Sequence, residues 1–349
     1  MVTPSRAYRF LVAVLAVLWS CSAKLDMDGD IAAGQETSID WMTPLPDDTP
    51  FARLSIPGAH DAATSTVTTF TAWTRTQDLN VARLWNCGVR AFDLRPAWVD
   101  GVMGIYHDKY SAHVSLPDVL RALSLAMEKH PGECAVVVIR HEEEADGNTP
   151  EWPAAMASCL AEFSDVLASW HQGITLGEMR GKILVLSRNI YDGGPIGGYI
   201  RGWTSGVDIA SQKGASIIDK DGNASPLWVQ DYYDPEGKDD KWSEVKDMLD
   251  AAASASEPFP LIINHVSGYV GSLPDYRSNA RDINALAADY IRESGSPAGI
   301  VMMDFAGVSR SRGVKLGGDI LVNALIDNNR PYRFDPANPP ASARKRQSA

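Results

Sequence analysis

Eight short apolar runs recur along the chain, at 53–56, 89–94, 103–106, 135–139, 182–186, 227–229, 261–264 and 300–303, and they constrain the fold more than any other feature. They are rich in β-branched residues, with helical stretches or long connections between them, which is the pattern of a parallel sheet covered by helices. The stretch after the third run shows this best. Ser115 caps it, Pro117 sits in the first turn, and Leu116, Val119, Leu120, Leu123 and Met127 share one face until Pro131-Gly132 stops it. Residues 152–170, 242–253 and 279–293 read as further helices with apolar spacings of three and four.

Alternating strands and helices over most of 349 residues predict one α/β domain, a TIM (β/α)8-type barrel. The barrel is irregular, because the connection 95–102 between the second and third runs is too short to hold a helix.

The residues at the end of each run carry the chemistry. After the first comes His60-Asp61; Asp93 and Arg95 end the second, His107-Asp108 the third, and Arg140-His141-Glu142 the fourth. Arg188 ends the fifth, Asp231-Tyr232-Tyr233 the sixth, His265 the seventh and Asp304-Phe305 the eighth. A barrel gathers the C-terminal ends of its strands at one mouth, where catalytic groups of this fold sit. A lone histidine or aspartate after a strand is more often structural or a helix cap. Two histidines, several arginines and several carboxylates converging on one mouth are costly unless mutually paired, and such sets are more often catalytic. Two imidazoles can act as base and acid, an arginine can fork onto phosphate, and carboxylates can orient the imidazoles. That inventory suits phosphodiester cleavage. The motifs of zinc proteases, nucleotide hydrolases and serine hydrolases do not occur.

Charge narrows the partners. With 32 Lys+Arg against 44 Asp+Glu the net charge is -12, which argues against a nucleic-acid binder and against adhesion to anionic lipid by charge alone.

The start of the chain reads as an export signal over 1–20: Arg6 and Arg9, an apolar run from Phe10 to Trp19, then Ser20-Cys21-Ser22. Leu18-Trp19-Ser20-Cys21 resembles a bacterial lipobox, in which Cys21 is acylated; secretion by simple cleavage is the alternative. Residues 21–49 read as a polar tether, 50–334 as the catalytic barrel and 335–349 as a disordered tail. An exported monomer of the bacterial cell envelope, or a secreted one, is expected.

The blocks Leu54-Ser55-Ile56-Pro57-Gly58-Ala59-His60-Asp61, Gly88-Val89-Arg90-Ala91-Phe92-Asp93-Leu94-Arg95 and Tyr106-His107 closely resemble the X region of phosphatidylinositol-specific phospholipases C. Later strands keep the likeness in order through Trp228-Val229-Gln230-Asp231-Tyr232-Tyr233 and Val301-Met302-Met303-Asp304, so that it covers roughly 50–330. The resemblance implies that His60 takes the proton of the inositol 2-hydroxyl and that Asp304 holds its tautomer. By the same resemblance Arg95 would bind the phosphate, and His107, supported by Asp61, would protonate the departing diacylglycerol oxygen. Asp93 braces Arg95 or His107. Arg188 and Asp231 would bind inositol hydroxyls, Tyr233 would stack on the ring, and the family's further cation would fall on either Arg140 or His141.

No cofactor and no metal are implied, since Arg95 stands where calcium-dependent relatives hold their cation and no carboxylate cluster is expected around Asp93. Departures from the pattern are Ala59, where a hydroxyl residue is usual, and the segment 268–279, whose aromatics are Tyr269 and Tyr276. The implied activity is conversion of membrane phosphatidylinositol to diacylglycerol and inositol 1,2-cyclic phosphate, with peripheral membrane contact. The alternatives are a glycerophosphodiester phosphodiesterase and a non-catalytic inositol-lipid or glycan-binding surface protein.

Overall fold

A computed structural model describes residues 39–205, 214–270 and 275–332. In chain order it contains β1 (Ser55–Ala59), α1 (Thr71–Thr74), α2 (Val81–Asn86), β2 (Ala91–Leu94), β3 (Pro96–Val99), β4 (Val102–His107), β5 (Tyr110–Ser115) and α3 (Leu116–Lys129). Next come β6 (Ala135–Ile139), α4 (Trp152–Ala161), β7 (Leu167–Ala168), α5 (Leu176–Met179), β8 (Ile183–Ser187), β9 (Gly198–Arg201), β10 (Ala215–Ile218) and β11 (Ala224–Gln230). The last are α6 (Lys238–Ser254), β12 (Leu261–His265), α7 (Tyr276–Ser294), β13 (Gly299–Met303) and α8 (Gly318–Asp327).

Among the described residues nine strands close a ring in the order β6-β2-β1-β13-β12-β11-β10-β9-β8, with β8 returning to β6. β10 runs antiparallel to both its neighbours, and the other pairs of the ring are parallel. Strands β1, β6, β8, β12 and β13 are buried along their whole length. Such strands read as unbroken apolar runs because one face fills the barrel and the other lies under helices. The irregular α/β barrel expected from the sequence is the observed fold.

Seven of the eight apolar runs are barrel strands; the run 103–106 is not. It lies in β4, the centre of a separate antiparallel sheet β3-β4-β5. Only Arg95 separates β2 from β3, and a parallel neighbour needs a crossover of a dozen or more residues. The chain therefore folds back as a meander beside the mouth, and β9 and β10 complete the ring. Residues 152–170 are also corrected: the helix stops at Ala161, and Leu167 and Ala168 pair with the start of β8. The helix α3 has the capping box of Ser115 and Asp118, and its apolar face is buried. Gly295, at φ 60°, ends α7 in the left-handed conformation that glycine adopts without strain.

The signal, Cys21 and the tail lie outside the described residues, as does most of the tether. Its end is corrected, because 39–49 packs against the bottom of the barrel. Trp41, Met42 and Leu45 are buried, apolar side chains that a solvated tether would not hold. Trp41 Nε1 donates to Gly88 O at 2.9 Å. Glu133 Oε1 accepts from the amides of Met42 (2.9 Å) and Thr43 (2.8 Å), while Oε2 pairs with Arg90 Nε at 3.0 Å. The Arg90 guanidinium lies over the Trp85 ring at 3.7 Å, and neither member of the ion pair is exposed.

Breaking a buried pair leaves an uncompensated charge. Glu133→Ala is therefore expected to lower unfolding free energy by about 3–5 kcal/mol, read from urea melts beside wild type. A loss under about 1 kcal/mol would mean that water relieves Arg90 and that residues 39–49 are loosely held.

Candidate active site

The ends of β1 and β13 are locked together by one buried amide. Gln77 Nε2 donates to His60 O and to Met303 O, each at 2.8 Å, and Gln77 Oε1 accepts from Ala306 N at 2.9 Å. His60 N donates to Met303 O at 3.1 Å. Immediately beyond, Asp61 (φ 42°) and Phe305 (φ 53°) are left-handed, a region rarely used outside glycine and found where a turn must aim a functional side chain. These turns deliver His60 and Asp304 face to face, with His60 Nδ1 at 2.8 Å from Asp304 Oδ1. Nδ1 therefore carries the proton and donates, leaving Nε2 toward the mouth. Asp304 Oδ2 accepts from Gly268 N at 3.0 Å. That residue must be glycine, since its φ is 140° and a Cβ there would lie 2.6 Å from Tyr233 O.

Asp61 is the centre of the pocket. Its Oδ2 is 3.4 Å from His60 Nε2 and 3.4 Å from His107 Nε2, and its Oδ1 is 2.6 Å from Arg95 Nε. Arg95 Nη2 is 3.2 Å from His60 Nε2, and Nη1 is 3.7 Å from Glu142 Oε2. Asp93 Oδ2 accepts from the Asp61 amide at 3.3 Å and lies 4.0 Å from His60 Nε2. Asp93 thus braces the Asp61 turn.

A second cluster adjoins the first. The Arg188 guanidinium lies 4.3 Å over the Trp203 ring, Trp203 Nε1 donates to Asp231 Oδ2 at 2.9 Å, and Arg188 Nη1 is 4.0 Å from the same oxygen. His265 joins the two clusters, with its ring 5.7 Å from that of His60 and its Nδ1 3.9 Å from Asp231 Oδ1. Tyr233, 40% exposed, stands at the rim against Tyr269, and Tyr276 packs beneath between Tyr269 and His107.

Arg140 and His141, the two candidates for the further cation, differ in their surroundings. His141 stacks on Trp152 at 4.3 Å and is held by Asn148 at 3.1 Å, whereas the charge of Arg140 acts on Asp61 and Arg188 within the mouth.

Burial opposes the charge on each of these groups, and their neighbours outweigh it at some and not at others. For His60, burial opposes the charged form, but Asp61 and Asp304 outweigh it and push the imidazole up to about 9. Asp61 resists burial because Arg95, then His60 and His107, hold it at about 2. His107 is lowered, chiefly by burial, with Arg95 and His60 repelling its charge against the pull of Asp61. Burial pushes Glu142 up to about 8, helped by a hydrogen bond with Glu144.

The expectation of no carboxylate cluster around Asp93 is corrected. His60, Asp61 and Asp93 bring ligand atoms within 4.8 Å of one another, and Glu142 lies close by. The set does not fit a divalent ion, however, because the Arg95 guanidinium already pairs with Asp61 and faces His60 within it.

Sequence reasoning placed Glu142 and His265 at the mouth without giving them a role, and missed Trp203 and Gln77. Glu142 and His265 carried a usable signal, their place at strand ends. Trp203 and Gln77 lie in connections where no periodicity marks them.

No family model matches the chain. It is similar in sequence to 1-phosphatidylinositol phosphodiesterase of Staphylococcus aureus (strain Newman), 27% identical over 307 residues that cover 83% of this chain and 94% of that protein. The protein of the same name from Listeria monocytogenes is 28% identical over 162 residues, 44% of this chain and 50% of that one. In fold the chain matches a solved phosphatidylinositol-specific phospholipase C of S. aureus, from work on its membrane binding, with TM-score 0.69 and 24% identity over 83% of this chain and 98% of that one. The Listeria monocytogenes enzyme matches with TM-score 0.66 and 22% identity, over 84% and 98%.

Asp304→Asn removes one of the two charges that raise His60, so burial should then prevail and its pKa fall from about 9 toward or below the ordinary imidazole value. Histidine resonances followed by NMR across pH test this. Titration of His60 still near 9 in the variant would assign the whole shift to Asp61.

Proposed function

We infer that this chain is a bacterial phosphatidylinositol-specific phospholipase C, which converts phosphatidylinositol to diacylglycerol and inositol 1,2-cyclic phosphate without a metal. The observation that carries the reading is the grouping of two imidazoles and a guanidinium around one carboxylate, Asp61, at the mouth of the barrel. A base, an acid and a phosphate-binding cation suffice for this cleavage.

His60 takes the proton of the inositol 2-hydroxyl through Nε2. The 2-oxygen forms a bond to phosphorus, and the bond from phosphorus to the glycerol oxygen breaks. His107 gives that oxygen its proton, so one proton is taken and one returned. Arg95, fixed by Asp61 and Glu142, holds the phosphate oxygens as negative charge shifts to the leaving group. The nucleophile belongs to the substrate, so orientation replaces a bimolecular attack. Arg188, Asp231 and Trp203 form the wall that binds inositol hydroxyls, with Tyr233 against the ring and Arg140 as the further cation.

In the ligand-free protein the protons sit the other way round: His60 is proton-rich and His107 proton-poor. The productive form, neutral His60 with charged His107, is therefore the minor one before substrate binds. Phosphate drawn onto Arg95 brings negative charge to both imidazoles and favours the protonated form of each.

Membrane contact is aromatic rather than electrostatic. Phe70 and Trp73, 58% and 46% exposed, stack at 5.9 Å in the connection that leaves the mouth after β1, and Phe70 touches Tyr110 just beyond His107. Tyr276, in contrast, is buried. No described helix is long and apolar enough to cross a membrane. Export by 1–20, with acylation at Cys21 as an anchor, and action as a monomer complete the reading.

On phosphatidylinositol vesicles in excess chelator, the expected product is inositol 1,2-cyclic phosphate, monitored by phosphorus NMR, with little gain from calcium. A glycerol phosphate product would favour the glycerophosphodiesterase alternative, absence of turnover the non-catalytic one, and activity restored by calcium alone would end the metal-free mechanism.

Roles separate by leaving group. His60→Ala and His107→Ala should each lose on the order of 10²–10⁴ in turnover. An inositol phosphodiester with a good leaving group should rescue His107→Ala and leave His60→Ala inactive; equal losses on both substrates would overturn the assignment.

A further inference from the structure

Beneath the polyol wall lies a cation that the mechanism does not use. Lys241, in the first turn of α6, is fully buried, which is rare for a lysine because desolvating an ammonium is costly. Its Nζ donates to Tyr232 O at 2.7 Å and reaches Gln230 Oε1 at 3.5 Å. Gln230 Oε1 also accepts from Tyr232 N at 2.7 Å, while its Nε2 donates to Asn264 Oδ1 and to His265 O, each at 2.8 Å. Asn264 Nδ2 in turn donates to Val245 O at 2.9 Å, in the middle of α6.

The network therefore encloses the turn after β11. It grips both the amide and the carbonyl of Tyr232, whose neighbours in sequence are Asp231 and Tyr233, and ties that turn to the end of β12. We propose that Lys241 is a positioning residue for the inositol-binding wall, with its buried ammonium fixing the Asp231–Tyr233 turn through Tyr232 and Gln230. The proposal rests on the phospholipase reading of the site.

Charge supports the geometry. The groups acting on Lys241 are Asp231 at the end of β11, Asp304 after β13 and Glu244 on its own helix, all of which favour the ammonium, and its charge is felt by His265 at the end of β12. Burial nonetheless brings Lys241 down to about 7. The grip is at full strength below that pH, while the lysine is charged, and weakens as pH rises through it.

Lys241→Met keeps length and bulk, and exchanging a buried charge for a well-packed apolar group is commonly tolerated by a fold. The expected result is a KM for phosphatidylinositol, and an inhibition constant for free myo-inositol, raised roughly tenfold, the scale of losing a charged hydrogen bond, with kcat falling far less. Wild type should bind myo-inositol more weakly as pH passes about 7, and the variant should lose that step. Gln230→Met, which cuts the same link from the other side, should raise both constants too, and the double variant should add little to either single one. If wild type cleaves phosphatidylinositol but Lys241→Met shifts only the melting temperature, or loses kcat with both constants unchanged, Lys241 is a structural residue and the proposal falls. If wild type cleaves no phosphatidylinositol and does not bind myo-inositol, the phospholipase reading falls and takes this proposal with it.

Discussion

The site turns on Asp61. One carboxylate, almost wholly buried, faces two imidazoles and one guanidinium. Removing such a group from water is costly unless it is paired, and here every cationic neighbour gains from it as much as it gains from them. Asp61 stays ionised because Arg95 is beside it, Arg95 stays put because Asp61 and Glu142 hold it, and the histidines compete for what remains of the same charge. The proton distribution is therefore a property of the cluster rather than of any one residue. An anion arriving at Arg95 must rearrange all of it, which couples binding of phosphate to the placement of protons.

That coupling needs a scaffold that does not yield. At the mouth, Gln77 and the two left-handed turns at Asp61 and Phe305 fix the separation of His60 and Asp304. At the opposite end, Trp41 and the Arg90–Glu133 pair draw the segment before β1 against the starts of β2 and β6. Stability and chemistry thus occupy opposite ends of the barrel, as is usual for this architecture.

The sequence exposes the parts that obey short periodicities. Runs buried on both faces announce the parallel strands, and the capped amphipathic pattern of α3 announces a helix on their outside. Strand ends then announce His60, Arg95, His107, Asp231 and Asp304 as neighbours. What was hidden depends on partners far along the chain. β4 is as apolar as a barrel strand, and only the single residue between β2 and β3 forbids it that place. β9 and β10 are four residues each and owe their positions to pairing, not to pattern. Trp203 and Lys241 give no local signal, because an indole in a loop and a lysine in the first turn of a helix are ordinary until their surroundings are known.

Arg95 also explains why so much charge can be buried here. A metal brings its own strong, exchangeable charge, and a site built for one must leave carboxylates free to receive it. A guanidinium is always present, is planar, and forms directed bonds to several carboxylates at once. Asp61 can then be enclosed before substrate arrives, with its charge already committed. The second cluster obeys the same logic, with Arg188 stacked on Trp203 beside Asp231, and Lys241 braced on backbone oxygen beneath. The enzyme read from this structure carries its electrophilic charge in side chains fixed by other side chains. Its specificity then rests on how rigidly the turn after β11 is held against the end of β12.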